Sequence, residues 1–204
     1  MRTARCIVLV AVASLLLGST GCMIYKSGPL ADVSKFSQVA AQATSAKPLC
    51  VAFDFRHYAN GQPAAGQPQV RVRKFRDHLL NILREMKSVN VTEGPAAADG
   101  YRLQVSLREE EIFNEGLVFL SGATLMLVPA SAKVGYECKA ELRDEKNQLV
   151  GSYKLEDTLN VVMQLFLFPC IPFNRDWSWR ITDNLYRQLA IKVAGDLAKA
   201  ETRK

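Results

Sequence analysis

The sequence predicts an α+β fold: a mixed sheet of about five strands with two helices covering one face, plus two apolar loop segments at one end of the sheet. Two long segments repeat apolar residues every three or four positions, which is typical of helices that bury one side. Three others alternate polar and apolar residues, which is typical of strands with one wet face. Because the elements follow as strand, helix, two strands, hairpin and helix, a layer of helices on one face of the sheet is favoured.

The predicted domain spans residues 48–200 and opens with a strand and a helix. Residues 49–55 form a near-continuous apolar run, which indicates a strand buried on both faces. Residues 70–87 then predict an amphipathic helix, because their apolar positions fall on one stripe at about 100° per residue. That stripe consists of Val72, Phe75, Leu79, Ile82, Leu83 and Met86.

The remaining elements are predicted from shorter patterns. Residues 134–143 and 149–161 both alternate and flank a polar turn at 144–148, so they predict a long antiparallel hairpin. The other predicted elements are a short strand at 88–92, an alternating strand from Tyr101 to Leu107, and a helix that begins near 174–178 and ends at about residue 199.

Residues 1–21 predict a cleaved signal peptide. Arg2 and Arg5 make the start basic, and an apolar, uncharged run of 15 residues extends from Ile7 to Gly21. That run is shorter than the roughly 20 residues that cross a bilayer as a helix. Small residues precede Cys22, as they do at cleavage sites of exported proteins.

The segment Leu17-Gly18-Ser19-Thr20-Gly21-Cys22 resembles the lipobox of bacterial lipoproteins. The resemblance implies that Cys22 carries a covalent diacylglyceryl group and that the new amino terminus is N-acylated. We expect no cofactor apart from this covalent lipid. Ser19 departs from the family, which usually has Leu there. Met23 rather than Asp follows the cysteine, which implies the periplasmic face of the outer membrane. The alternative is an ordinary secretory signal in which the cysteine occurs by chance.

Residues 22–47 predict a tether, since they are rich in Ala, Ser, Gln and Lys. Beyond it, residues 116–132 and 161–173 are apolar segments that are too short to span a membrane. Surplus apolar surface of this kind marks a contact with membrane or protein. The candidate contact residues are Leu117, Phe119, Leu125, Leu165, Phe166 and Phe168.

Counting strand directions predicts where these apolar segments lie. The two outer ends of the hairpin must meet, so the two segments should lie side by side. If the strand from Tyr101 runs opposite to the first strand, both segments also share the end of the sheet that the tether enters.

The sequence holds no recognised catalytic or metal-binding motif, so we predict no enzyme activity and no metal site. His57 and His78 lack ligand spacing. Glu109, Glu111 and Asp157 continue the inward phase of their strands. They are either an acid and base pair or, as we favour, structural charges that bulges turn outward or that Arg175 or Arg180 neutralises. Cys50, Cys138 and Cys170 are interpreted as small buried thiols rather than a disulfide framework.

The charge balance argues against a nucleic-acid partner. The chain has a net charge of +6, which falls to +4 without Arg2 and Arg5. In general layout the mature domain resembles small uncharacterised outer-membrane lipoproteins of Gram-negative bacteria. We therefore expect a lipid-anchored, non-enzymatic periplasmic domain that contacts the membrane and a protein partner of the envelope. The alternative is a lipid-binding or lipid-transfer module that uses the two apolar segments as the wall of a pocket.

Overall fold

The computed structural model of the chain describes residues 21–28, 30, 33, 36, 45, 47–64, 66, 69–86, 89–94, 100–164 and 177–202. Within these residues the chain forms one sheet of seven strands and three helices. The strands are β1 (Gly21–Lys26), β2 (Leu49–Ala59), β3 (Gln62–Pro63), β4 (Val91–Glu93), β5 (Tyr101–Phe113), β6 (Ala130–Arg143) and β7 (Leu149–Gln164). The helices are α1 (Gln69–Arg84), α2 (Glu115–Ala123) and α3 (Trp177–Thr202).

The sheet is mixed, which confirms the predicted α+β class. Its order is β1-β7-β6-β5-β2-β3. Strand β3 pairs with the end of β2, and β4 pairs with the start of β2. β2 runs parallel to β4 and β5, and every other pair is antiparallel. The predicted counts of five strands and two helices are too low, because β1, the two-residue β3 and α2 lie in segments that were expected to be tether or loop.

Helices α1 and α3 cover one face of the sheet and enclose the core. Phe75 of α1 packs against Trp179 near the start of α3, and Glu85 just after α1 pairs with Arg187 further along α3, so the two helices pack side by side and run in the same direction. The side chains between helices and sheet include the fully buried Leu79, Leu83, Leu103, Leu107, Leu142, Leu185, Tyr186 and Leu189. The described helices α1 and α3 leave the other face of the sheet, which we call the open face, uncovered, and it carries the polar residues of the alternating strands.

The strand from Tyr101 was expected to run opposite to the first strand, but it runs in the same direction. Leu49 pairs with Tyr101 and Ala59 with Glu111, so β2 and β5 are parallel. The reason is the shortness of β4, which pairs only with the start of β2. The chain is therefore still near the start of β2 when it leaves β4, and it enters β5 from the same end.

Strands β2, β5 and β7 all finish at one end of the sheet, which we call the apolar end. The starts of β1 and β6 lie there too, since Gly21 pairs with Gln164 and Ala132 with Phe113. The predicted juxtaposition of the hairpin's outer ends is confirmed, because Ala130 pairs with Met163. The chain enters β2 at the opposite end, which corrects the expected position of the tether entry.

The segment predicted to be a tether is in part built into the domain. Its residues 22–26, together with Gly21 before them, form β1, an edge strand in antiparallel register with β7. Phe36 is buried, and the Arg187 guanidinium lies 4.7 Å from its ring centre. The Val33 amide donates to Asn184 Oδ1 at 3.0 Å. Phe36 thus belongs to the core, and Leu30 and Val33 pack against it, as residues of a free linker would not.

Candidate functional site

The apolar end carries an apolar helix that the core does not cover. Of the nine residues of α2 only Ser121 is buried. Phe119 is 79% exposed, and Leu125 in the following turn is 71% exposed. The predicted contact residues Leu117, Phe119 and Leu125 are thus all brought to one exposed surface, which we call the α2 surface. Its further members, which the sequence analysis did not single out, are Val118, Leu120 and Leu127.

Local hydrogen bonds hold α2 in place. Asn114 caps the start of the helix, because its side chain accepts a hydrogen bond from the Leu117 amide at 3.0 Å. The Thr124 hydroxyl donates to the Leu120 carbonyl at 2.8 Å and closes the other end. These caps satisfy backbone groups at both ends of a helix that has little packing of its own.

The turn after α2 has a strained backbone. Leu125 and Met126 have φ angles of 51° and 64°, in the left-handed region that favours glycine. The Met126 amide donates to the Ser121 carbonyl at 2.6 Å and secures the turn. Two successive left-handed residues with apolar side chains are costly, and strain of this kind concentrates at functional positions.

Cys22 belongs to β1 and lies at the apolar end. It pairs with Met163 of β7, one position from the start of the strand. The predicted lipidation position and the α2 surface are therefore at the same end of the sheet. The strand count had placed them together for a different reason, because it wrongly took β5 to run opposite to β2. Leu165, Phe166 and Phe168 lie outside the described residues, directly after the last residue of β7.

The inward carboxylate Glu109 has partners from α1 and β6. Glu109 is 1% exposed, Arg71 Nη2 lies 2.5 Å from its Oε1, and the Tyr136 hydroxyl donates to the same oxygen at 3.0 Å. Burial raises the pKa of Glu109, and the positive charge of Arg71 opposes that rise. Burial also raises the pKa of Tyr136. Glu111 lies further out, 3.2 Å from His57 Nε2.

This arrangement supports the structural interpretation of Glu109. Its carboxylate oxygen is shared by two neighbours and is closed off from solvent, whereas an acid or base must reach a substrate. The contact instead fixes the first turn of α1 against the sheet. Arg71 precedes the apolar stripe of α1, and nothing in its spacing identified it as the partner of a residue in β5.

Asp157 is also buried, but its described ion-pair partner differs from the expected arginines. Lys26 Nζ of β1 lies 3.3 Å from Asp157 Oδ2, and the Thr158 amide donates to Oδ1 at 2.9 Å. Gly28 lies so close that a Cβ atom there would overlap Asp157. Arg175 is outside the described residues. The pair joins β1 to β7 and so fixes the strand that contains Cys22.

The thiol of Cys138 is buried and free, and burial raises its pKa to about 12. Cys50 is buried beside Thr92, with its sulfur 3.3 Å from the Thr92 hydroxyl. These positions fit the interpretation of both as small buried side chains, while Cys170 is outside the described residues. Within the described ranges, no three potential metal ligands cluster together. Nor is any described helix long and apolar enough to cross a membrane.

No protein-family model and no curated protein matches the sequence. Several solved structures match it at low similarity. A minor lipoprotein from Acinetobacter baumannii is 13% identical, with a TM-score of 0.41 over 74% of this chain and 94% of that chain. A DUF330 protein from Xanthomonas campestris is 12% identical, with a TM-score of 0.37 over 79% and 92%.

The PelC dodecamer from Paraburkholderia phytofirmans is 13% identical to this chain, with a TM-score of 0.31 over 87% of this chain and 97% of that chain. All three TM-scores are below 0.5. These likenesses therefore assign no family and no function to this chain, and any function must be argued from its own residues.

Proposed function

We propose that this chain is a lipid-anchored, non-enzymatic lipoprotein of the bacterial envelope whose apolar end rests on the membrane. One observation carries the proposal: the apolar, exposed α2 surface lies at the end of the sheet where β1 begins and where Cys22 is its second residue. An anchor on Cys22 would hold this surface against the bilayer without an intervening linker. Apolar area removed from water there contributes about 25 cal/mol per Å².

The outer membrane as the location, and an envelope protein as an additional partner, belong to the same proposal. The sequence after the lipobox supports the location, because Met23 replaces the Asp of retained lipoproteins. A protein partner would compete with lipid for the same α2 surface.

The alternative, a lipid-transfer module, needs an open groove between helices and sheet. Leu185, Tyr186 and Leu189 fill that space as fully buried side chains. A packed core of this kind favours an anchored domain over a carrier that encloses an acyl chain.

The anchor is tested by replacing Cys22 with Ala and labelling cells with a radioactive or clickable fatty acid. We expect label on the wild-type protein and none on the variant, because one residue carries all the acyl chains. Label that persists on Cys22→Ala would contradict the anchor.

The membrane contact is tested on the lipidated protein in vesicles of brominated phospholipid. Phe119→Trp places a fluorophore on the α2 surface, and Leu149→Trp places a matched one at an exposed apolar position at the opposite end of the sheet. We expect bromine to quench Phe119→Trp strongly and Leu149→Trp little. Equal quenching of the two would show that the apolar end does not face the bilayer.

A further inference from the structure

The open face of the sheet has a concave pocket at the apolar end, which we call the Lys133 pocket. It measures about 450 Å³, a size in the range of small-ligand sites. Its lining includes Tyr25 of β1, Ile112 of β5, Lys133 of β6 and Asn160 of β7, with Asn114 and Val162 at its rim.

The pocket is built on one cross-strand row. Ile112 pairs with Lys133, Lys133 with Asn160, and Asn160 with Tyr25. Four neighbouring strands thus place an ammonium group, an amide and a half-exposed phenol side by side on the same face. The row ends at β5 directly before the start of α2, so the pocket is continuous with the α2 surface.

The lining attracts an anion. Lys133 alone is charged among its described residues, and Asn160, Tyr25 and Ser131 supply further hydrogen-bond donors. Asn114 Oδ1 already accepts a hydrogen bond from Leu117, so its amide NH₂ group is the part left to donate. Two residues before Ile112, Glu110 is engaged by Arg108 Nη2 at 3.1 Å. The nearest acidic side chain of that strand face is therefore already neutralised.

We propose that the Lys133 pocket binds the phosphodiester of an anionic phospholipid head group while the α2 surface contacts the acyl region. This inference rests on the proposed function, which brings the apolar end to the membrane and so places the pocket at the level of the head groups. The phosphate oxygens accept hydrogen bonds only, which matches a lining of one cation and several donors.

The test uses the full-length lipidated protein in neutral detergent micelles, titrated with short-chain phosphatidylglycerol or phosphatidylcholine and followed by thermal shift. Lys133→Gln removes the cation. Arg102→Gln removes an equal charge from an exposed position on the same face at the opposite end of the sheet. We expect wild type and Arg102→Gln to prefer phosphatidylglycerol. Lys133→Gln should lose about fivefold in apparent affinity for it, the effect of one basic residue at an anionic surface.

Unchanged phosphatidylglycerol affinity in Lys133→Gln would overturn the head-group site. If bromine quenching of Phe119→Trp persists in that case, the membrane contact stands while the pocket assignment fails. Inorganic phosphate serves as the second probe. A Lys133-dependent thermal shift with inorganic phosphate that equals the shift with phosphatidylglycerol would show a soluble anion as the ligand and overturn the lipid source.

Discussion

Helices α1 and α2 show that apolar composition and burial are separate properties. α1 carries many charged residues, yet it buries Phe75, Leu79, Leu80, Ile82 and Leu83. α2 is uncharged after Glu115, yet it buries only Ser121. The difference lies in what each helix faces: α1 lies over the sheet with α3 beside it, whereas α2 projects from the end of β5. Among the described residues, the more apolar helix is thus the one that buries less of its surface, which is expected of an external contact surface.

The largest difference between these helices should appear on removing a leucine from each. Leu83→Ala in α1 opens a cavity in the core and should lower the free energy of unfolding by about 2–5 kcal/mol. Leu117→Ala in α2 removes a half-exposed side chain and should change it by less than about 0.5 kcal/mol. Urea unfolding followed by circular dichroism measures both. Similar losses in the two variants would mean that α2 is part of the core.

The Lys26–Asp157 pair should matter almost as much, because it joins β1 to β7. Lys26→Met leaves a buried carboxylate without its ion-pair partner, and we expect a loss of up to about 3 kcal/mol. Lys154→Met is the matched control, since Lys154 is largely exposed between Glu137 and Glu156 on the open face. Exposed pairs contribute about 0–1 kcal/mol.

Hydrogen exchange adds a second readout for β1. Lys26→Met should speed exchange of the amides in residues 21–26 more than in β5. Unaltered protection of β1 in that variant would show that the strand is held by its backbone register alone.

Period and phase predicted the parts of this fold that depend on local sequence. The alternation of β5 and β7 predicted that Glu109, Glu111 and Asp157 point inward. Glu109 and Asp157 are buried, whereas the Glu111 side chain is 35% exposed. Their partners Arg71 and Lys26 were not predictable, because each comes from an element distant in sequence. Likewise, residues 22–47 were interpreted as a tether from their composition, and composition does not show that β1 pairs with β7 through backbone hydrogen bonds. The apolar composition of residues 116–132 predicted a contact surface, but not that its first part forms a helix whose side chains, Ser121 excepted, the other described residues leave exposed.

His78 offers a smaller test of how α1 and α3 pack. Burial lowers its pKa below the ordinary 6.5, while Asp183 opposes this and Arg187 adds to it. Above about pH 6.5 the folded and unfolded states both hold His78 neutral, so its titration contributes nothing. As the pH falls, the unfolded state takes up the proton first, and the folded state loses stability.

We therefore expect wild type to lose more stability between about pH 7.5 and about pH 5.5 than His78→Gln does. Thermal melts of both proteins at the two pH values give the comparison. His78→Gln also removes the ring contacts with Trp179 and Tyr186, so this variant should be less stable than wild type at both pH values. Only the change between the two pH values reports the titration. An equal pH dependence in the two proteins would place the titration elsewhere.

The smallest expected effect concerns Leu125, and it separates stability from function. Leu125 holds a left-handed φ of 51° with its side chain 71% exposed, so the fold bears strain there without gaining burial. Leu125→Gly should relieve that strain and raise the free energy of unfolding by up to about 1 kcal/mol. The gain is reduced because glycine gives the unfolded chain more conformational entropy.

The same change removes an apolar side chain from the α2 surface and should weaken binding of the unlipidated domain to vesicles. Asn147→Gly, at φ 61° in the β6–β7 turn, is the control that changes a left-handed residue away from the apolar end. If Leu125→Gly is less stable than wild type and binds vesicles equally well, Leu125 serves the fold, and the contrast between α1 and α2 no longer identifies a contact surface.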